Sequence, residues 1–205
     1  NIITLYSSFV QGLFKKVQTS GLSFKIVAPD HGPVWRNMDN FSKVLGLYQR
    51  WSSRTTSRKA VIIYDTMWHA TEKMARYIED GLISTGVSVK VLPLQSASRS
   101  DVATEMLEAT AVIVGTPTLN NNLFPSVADA LTYLKGLKFQ TPFGAAFGSY
   151  GWSGEGVSQI KQYLTDMGCE IAGAVNAKYQ PDEKVVAECF NLGVEIGNKI
   201  INKIK

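Results

Sequence analysis

From Lys59 onward the chain alternates short apolar runs with amphipathic stretches of helical period. The runs Ala60–Tyr64, Val87–Leu92, Ala111–Gly115 and Phe143–Phe147 read as strands, with a weaker fifth at Glu170–Ala177. Between them Thr71–Leu82, Asp101–Ala109, Ser126–Leu134 and Gly156–Thr165 read as helices, and a long helix runs from Asp182 to about Lys203. Near-continuous apolar strands separated by helices predict a parallel sheet, since parallel neighbours need a crossover long enough to hold a helix. The expected fold class is therefore α/β, a doubly wound five-stranded parallel sheet with helices on both faces.

The first part of the chain has a different pattern. Phe9–Thr19 has helical spacing, Ser23–Ala28 reads as a strand, and Pro29-Asp30-His31-Gly32-Pro33 reads as a turn. A second helix is expected at Phe41–Trp51, with Phe41, Val44, Leu45, Tyr48 and Trp51 on one stripe. The polar stretch that follows suggests three parts: a short α/β piece at 1–53, a linker at 54–58 and the sheet domain at 59–205. A piece of about fifty residues rarely builds a core alone, so residues 1–53 are expected to be the remnant of a larger domain. The start of the sequence, lacking a Met and entering structured sequence at once, agrees with a fragment of a longer protein.

Composition narrows the function classes. Hydrophobic content of 45% and charge of 19% suit a globular domain with a real core. No apolar run reaches the roughly 20 residues of a membrane span, so no membrane partner is expected. The net charge of +4 lies wholly in residues 1–53, where Lys15, Lys16, Lys25, Arg36, Lys43 and Arg50 face only Asp30 and Asp39. Without a basic patch interleaved with aromatics, nucleic-acid binding is not expected. Cys169 and Cys189 match no metal or redox spacing and read as buried reduced thiols of a cytoplasmic protein.

In an open parallel sheet, ligands bind beyond the carboxyl ends of the strands where the strand order reverses. Three loops there carry unusual chemistry. Asp65-Thr66-Met67-Trp68-His69-Ala70-Thr71 leads from the first strand into a helix. Helix-start N–H groups without intrahelical partners, the helix dipole and the Thr66 and Thr71 hydroxyls make a site for one phosphate. No Lys and no Gly-rich cradle is present, which excludes a nucleoside-triphosphate loop. Gly115-Thr116-Pro117-Thr118-Leu119-Asn120-Asn121-Asn122 follows the third strand and offers uncharged amides. After the fourth, Gly148-Ser149-Tyr150-Gly151-Trp152-Ser153-Gly154-Glu155-Gly156 combines close backbone approach with flat aromatic faces.

A ligand with one phosphate, a polar ring edge and an aromatic plane meets all three demands, as flavin mononucleotide (FMN) does. The dinucleotide fingerprint G-x-G-x-x-G is missing after the first strand, which disfavours NAD and FAD. Each loop also has a plainer reading: Thr66 and Thr71 as helix caps, Trp68 and Trp152 as core aromatics, His69 as a solvated side chain, the Asn run as turn chemistry. Their joint appearance on three correctly ordered loops favours the cofactor.

Tyr64-Asp65-Thr66-Met67-Trp68 with Thr71-Glu72-Lys73-Met74-Ala75 resembles the phosphate loop of the A-type flavoproteins, or flavodiiron proteins. The second and third loops resemble that family's other FMN loops, and the likeness covers residues 59–203. At His69-Ala70 the family pattern leads one to expect smaller residues such as Gly-Ser. Ala28-Pro29-Asp30-His31-Gly32-Pro33-Val34-Trp35-Arg36 is similar to the end of the metallo-β-lactamase-like domain that precedes the flavodoxin-like domain in this family. There the His of the His-Gly-Pro turn ligates a diiron centre, which makes His31 a candidate metal ligand only in an intact, longer protein.

The resemblance implies an FMN-binding electron-transfer module of a flavodiiron-type oxygen or nitric-oxide reductase. It implies a rubredoxin-like donor, a head-to-tail homodimer and a diiron centre outside this chain. Phosphate contacts are expected from Thr66, Met67, Trp68, His69, Ala70 and Thr71. Ring contacts are expected from Thr116, Pro117, Thr118, Leu119, Asn120, Ser149, Tyr150, Gly151, Trp152 and Gly154. No catalytic acid, base or nucleophile is expected. The alternatives are a stand-alone FMN-dependent NAD(P)H:quinone or flavin reductase and a cofactor-free interaction module.

Overall fold

The computed structural model describes residues 2–204. Its chain divides into two compact units, one of residues 2–55 and one from Thr56 onward.

In the second unit the apolar runs become β1 (Lys59–Tyr64), β2 (Ser88–Pro93), β3 (Ala111–Leu119), β5 (Phe143–Tyr150) and β6 (Glu170–Lys178), with a two-residue β4 (Asn122–Leu123). The five long strands are parallel in the order β2-β1-β3-β5-β6. The helices are α3 (Ala70–Ser84), α4 (Arg99–Met106), α5 (Pro125–Leu137), α6 (Glu155–Asp166) and α7 (Glu183–Lys203). This is the expected doubly wound sheet, and the direction of strand succession reverses between β1 and β3.

Strand side chains alternate between two cores. Val61 and Ile63 of β1 pack with Val102 and Met106 of α4, Val127 and Leu131 of α5, and Ile160 and Leu164 of α6. Ala60, Ile62 and Tyr64 pack on the other face with Met74, Ile78 and Leu82 of α3 and Cys189, Leu192 and Ile196 of α7. The central strands are buried on both faces, which is why they read as unbroken apolar runs. β6 lies at an edge and is only partly covered, which explains its weaker signal. Gly81 and Gly193 let α3 and α7 meet backbone to backbone: a Cβ on Gly193 would lie 2.2 Å from the Ile78 carbonyl oxygen.

Two loop expectations need correction. Thr116–Leu119 and Gly148–Tyr150 are strand, not loop, because Thr116 pairs with Gly148 and Pro117 with Ser149 beyond the apolar runs. β4 is an additional strand. It folds back on β3, with Thr118 opposite Leu123 and Leu119 opposite Asn122. Among the described residues, no helix is long and apolar enough to cross a membrane.

In the first unit α1 (Ser7–Thr19) and α2 (Met38–Ser52) form, and Asn37 caps α2 by accepting from the Asp39 and Asn40 N–H groups. The strand expected at Ser23–Ala28 does not form. Only Val27 pairs, antiparallel with Trp35: among the described residues of this unit no strand lies beside it, and Pro29 and Pro33 in the intervening turn have no N–H to donate. Of the described side chains in this unit only Ser7 and Ser52 are buried. Phe9 and Leu22 stand exposed, as do Leu13, Phe24 and Ile26, which line an apolar cavity of about 500 Å³.

Candidate functional site

β1 ends at the buried carboxylate of Asp65, which fixes the loop that follows. Its Oδ1 accepts from the Thr66 N–H at 2.7 Å and from Gln95 Nε2 at 3.1 Å, while Ser126 Oγ donates to Oδ2. Gln95 also donates to the Thr66 carbonyl at 2.9 Å. With its backbone clamped at both ends, Thr66 presents a buried Oγ1 that has no hydrogen-bond partner. A buried hydroxyl left unpaired costs free energy, so its location marks a place built for an acceptor from outside the protein.

Beside it starts α3. His69 occupies the N-cap position in the left-handed region, φ 61°, and makes no side-chain cap to the first-turn N–H groups. The Gly-Ser expected by family pattern at His69-Ala70 has a physical basis, since glycine reaches a positive φ without strain. α2, α4 and α7 are capped by a side chain, whereas α3, like α1, α5 and α6, has no side-chain cap on its first-turn N–H groups. Thr71 Oγ1 is already paired, 3.2 Å from Ser149 Oγ. Of the two threonines expected at the phosphate, Thr66 has no hydrogen-bond partner for its hydroxyl, and Thr71 shares one with Ser149.

Thr116 is fully buried and structural: it donates to the Pro117 carbonyl at 2.9 Å and accepts from the Phe124 N–H at 2.8 Å. Asn120 and Asn121 both have positive φ, 51° and 59°, as the two central residues of a tight hairpin between β3 and β4 require. The Asn run thus serves turn chemistry. At the same time it places Asn120 and Asn121 on the wall of a cavity at the carboxyl edge of the sheet.

That cavity measures about 670 Å³, within the ~300–1,000 Å³ of small-molecule sites. Of the residues expected at the cofactor, Met67, Trp68, Ala70, Pro117, Thr118, Leu119, Asn120, Ser149, Tyr150, Gly151 and Trp152 line it. Thr66, His69, Thr71, Thr116 and Gly154 do not; Gly154 instead backs the Tyr150 ring, where a Cβ would approach to 3.2 Å. Tyr179 and Gln180, between β6 and α7, complete the wall, and Gln180 Nε2 donates to the Trp68 carbonyl at 3.0 Å. Sequence reasoning missed these two and the Asp65–Gln95–Ser126 brace. Tyr179 follows the edge strand β6 in a left-handed turn, φ 60°, which the sequence does not mark.

The walls carry no formally charged side chain. Trp68 and Trp152 are 80% and 94% exposed, large flat faces with little protein against them. Outside the cavity, Glu72 lies below the ordinary carboxylate range because His69 and then Arg76 hydrogen-bond to it. Burial pushes the Tyr64 phenol up.

A family model, that of flavodoxin, matches residues 62–193. The chain belongs to the flavodoxin family. Within that family it aligns with flavodiiron proteins. It is 36% identical over 202 residues to a nitric oxide reductase of Moorella thermoacetica, covering 98% of this chain and 50% of the relative. Its fold superposes on rubredoxin oxygen:oxidoreductase from Desulfovibrio gigas with a TM-score of 0.94 at 33% identity, covering 100% of this chain and 51% of that one. The flavodiiron protein of Giardia intestinalis gives 0.92 at 30% identity, covering 100% and 50%. The chain spans about half the length of these three relatives.

The flavodoxin domain implies FMN, and the residues present fit it. An orphaned hydroxyl and an open helix N-terminus suit the phosphate, and a neutral cavity with exposed aromatics suits the ring system. Among the described residues no group of three or more His, Cys, Asp and Glu is placed to hold a metal.

Proposed function

We propose that this chain is the FMN-binding electron-transfer module of a flavodiiron-type oxygen or nitric-oxide reductase. When bound, FMN supplies the redox chemistry, and the chain's own residues bind, orient and shield it. Thr66 Oγ1 and the first N–H groups of α3 hold the phosphate. Asp65 fixes that loop through Gln95 and Ser126, and Thr71 ties it to Ser149. Pro117–Asn120 and Ser149–Trp152 face the ring, with Trp68 and Trp152 covering its plane. The observation that carries this reading is the buried, unpartnered Thr66 hydroxyl beside an uncapped helix at the strand-order reversal.

Residues 1–53 are the end of a metallo-β-lactamase-like domain, joined by 54–58 to the FMN domain at 59–205. The exposed apolar side chains of this piece and the half-length match to relatives support that assignment. His31, exposed in its turn, becomes a metal ligand only in the longer parent protein, where other ligands complete a diiron centre. The electron donor is a rubredoxin-like protein, and the working assembly is a homodimer in the cytoplasm.

Stopped-flow mixing of the FMN-loaded chain with a reduced rubredoxin tests the relay. Rapid bleaching of the flavin band is the expected result, and a chain that binds FMN but is reduced only by NAD(P)H would establish a reductase instead. Sedimentation of the loaded chain reports the dimer.

A further inference from the structure

The first turn of α3 holds an arrangement that phosphate binding itself does not require. His69 occupies the N-cap position in a backbone conformation easier for glycine, and its ring does not cap the helix. Instead its Nδ1 lies 2.7 Å from Glu72 Oε2. The other carboxylate oxygen of Glu72 accepts from Arg76 Nη2 one turn further on. Both oxygens of Glu72 are therefore engaged along the flank of the helix.

Glu72 is the third residue of α3, the position from which a carboxylate ordinarily reaches back to the N-cap backbone N–H. This chain does so in α4, where Asp101 Oδ2 accepts from the Ser98 N–H at 2.8 Å. In α3 the equivalent N–H belongs to His69, at the mouth of the phosphate site. A carboxylate seated there would occupy a donor and repel the phosphate. Lys73, the other nearby cation, does not hold Glu72 back, since its Nζ is directed to the Pro181 carbonyl at 3.3 Å.

We propose that His69 and Arg76 form a clamp that holds the Glu72 carboxylate off the N-terminus of α3, which makes His69 a positioning residue for the FMN phosphate. The inference rests on the site's being an FMN site. His69 acts through Glu72. Replacing it with glycine relaxes the backbone yet frees a competitor for the phosphate.

The test is titration of the wild type, His69→Gly and the double variant His69→Gly/Glu72→Ala with FMN and with riboflavin. His69→Gly is expected to weaken FMN about tenfold and leave riboflavin unchanged, with FMN affinity returning to within about twofold in the double variant. An FMN-to-riboflavin ratio unaltered by His69→Gly overturns the clamp. So does a double variant that binds FMN no better than the single one. A wild type that binds the two flavins equally overturns both the clamp and the phosphate site beneath it.

Discussion

Thr71 Oγ1 stands 3.2 Å from Ser149 Oγ, both groups buried, so the first turn of α3 is tied to the end of β5. The phosphate loop and the third cofactor loop are thereby held in one geometry. The bond also separates the two threonines into different roles.

That separation is measurable. Thr71→Val removes the partner of a buried hydroxyl and is expected to lower unfolding stability by about 1–3 kcal/mol. Thr66→Val removes a hydroxyl that is already unpaired in the free protein, so stability holds or rises. FMN affinity, by contrast, falls about 10- to 100-fold in Thr66→Val, the cost of losing one hydrogen bond to a charged group. Urea unfolding and FMN titration of the two variants check both halves.

Trp68 and Trp152 are exposed beside the cavity, and FMN is expected to cover them. Their emission in the free protein should be accessible to iodide and become protected when FMN binds. Trp152→Phe should reduce that protection while leaving phosphate selectivity intact. Iodide quenching with and without FMN reads the effect directly.

The contact between α3 and α7 gives a stability prediction. A Cβ on Gly193 would meet the Ile78 carbonyl oxygen at 2.2 Å, and backbone on both helices limits relief. Gly193→Ala is expected to destabilise by about 3 kcal/mol, at the upper end of overpacking costs. A denaturant melt measures it. A loss below about 0.5 kcal/mol would show that the helices separate easily.

The thiols define an alkaline window. Burial pushes Cys169 up to about 11 and Cys189 up to about 12, from an ordinary value of 9.0. The folded protein keeps these protons longer than the unfolded chain does. The stabilisation is thus complete below pH 9 and is lost as pH rises towards 11 and 12. A Cys169→Ala/Cys189→Ala variant should show a flatter stability profile above pH 9. Neither native thiol should react with a thiol reagent at neutral pH.

Much of this was legible in the sequence because buried parallel strands write themselves as apolar runs. Ile62 and Ile63 face opposite cores, so no polar residue interrupts β1. The same logic hid Thr116–Leu119, which pair as strand while carrying the polar and proline residues of a loop. The lone strand at Ser23–Ala28 had the right alternation but no neighbour to pair with. At the site, residues adjacent in sequence to the apolar runs were found. Tyr179, Gln180 and the Gln95–Asp65–Ser126 brace were not, because they converge only through the fold. Thr71 shows the opposite limit, since its type and position suggest a phosphate donor but do not reveal that its hydroxyl also meets Ser149.

A paired titration of the chain with FMN and riboflavin, followed through flavin and tryptophan fluorescence, measures the phosphate site directly. One FMN per chain is expected, bound at least about 100-fold more tightly than riboflavin, with most of that ratio lost in Thr66→Val. Absence of FMN binding, or equal affinity for the two flavins, would contradict this expectation.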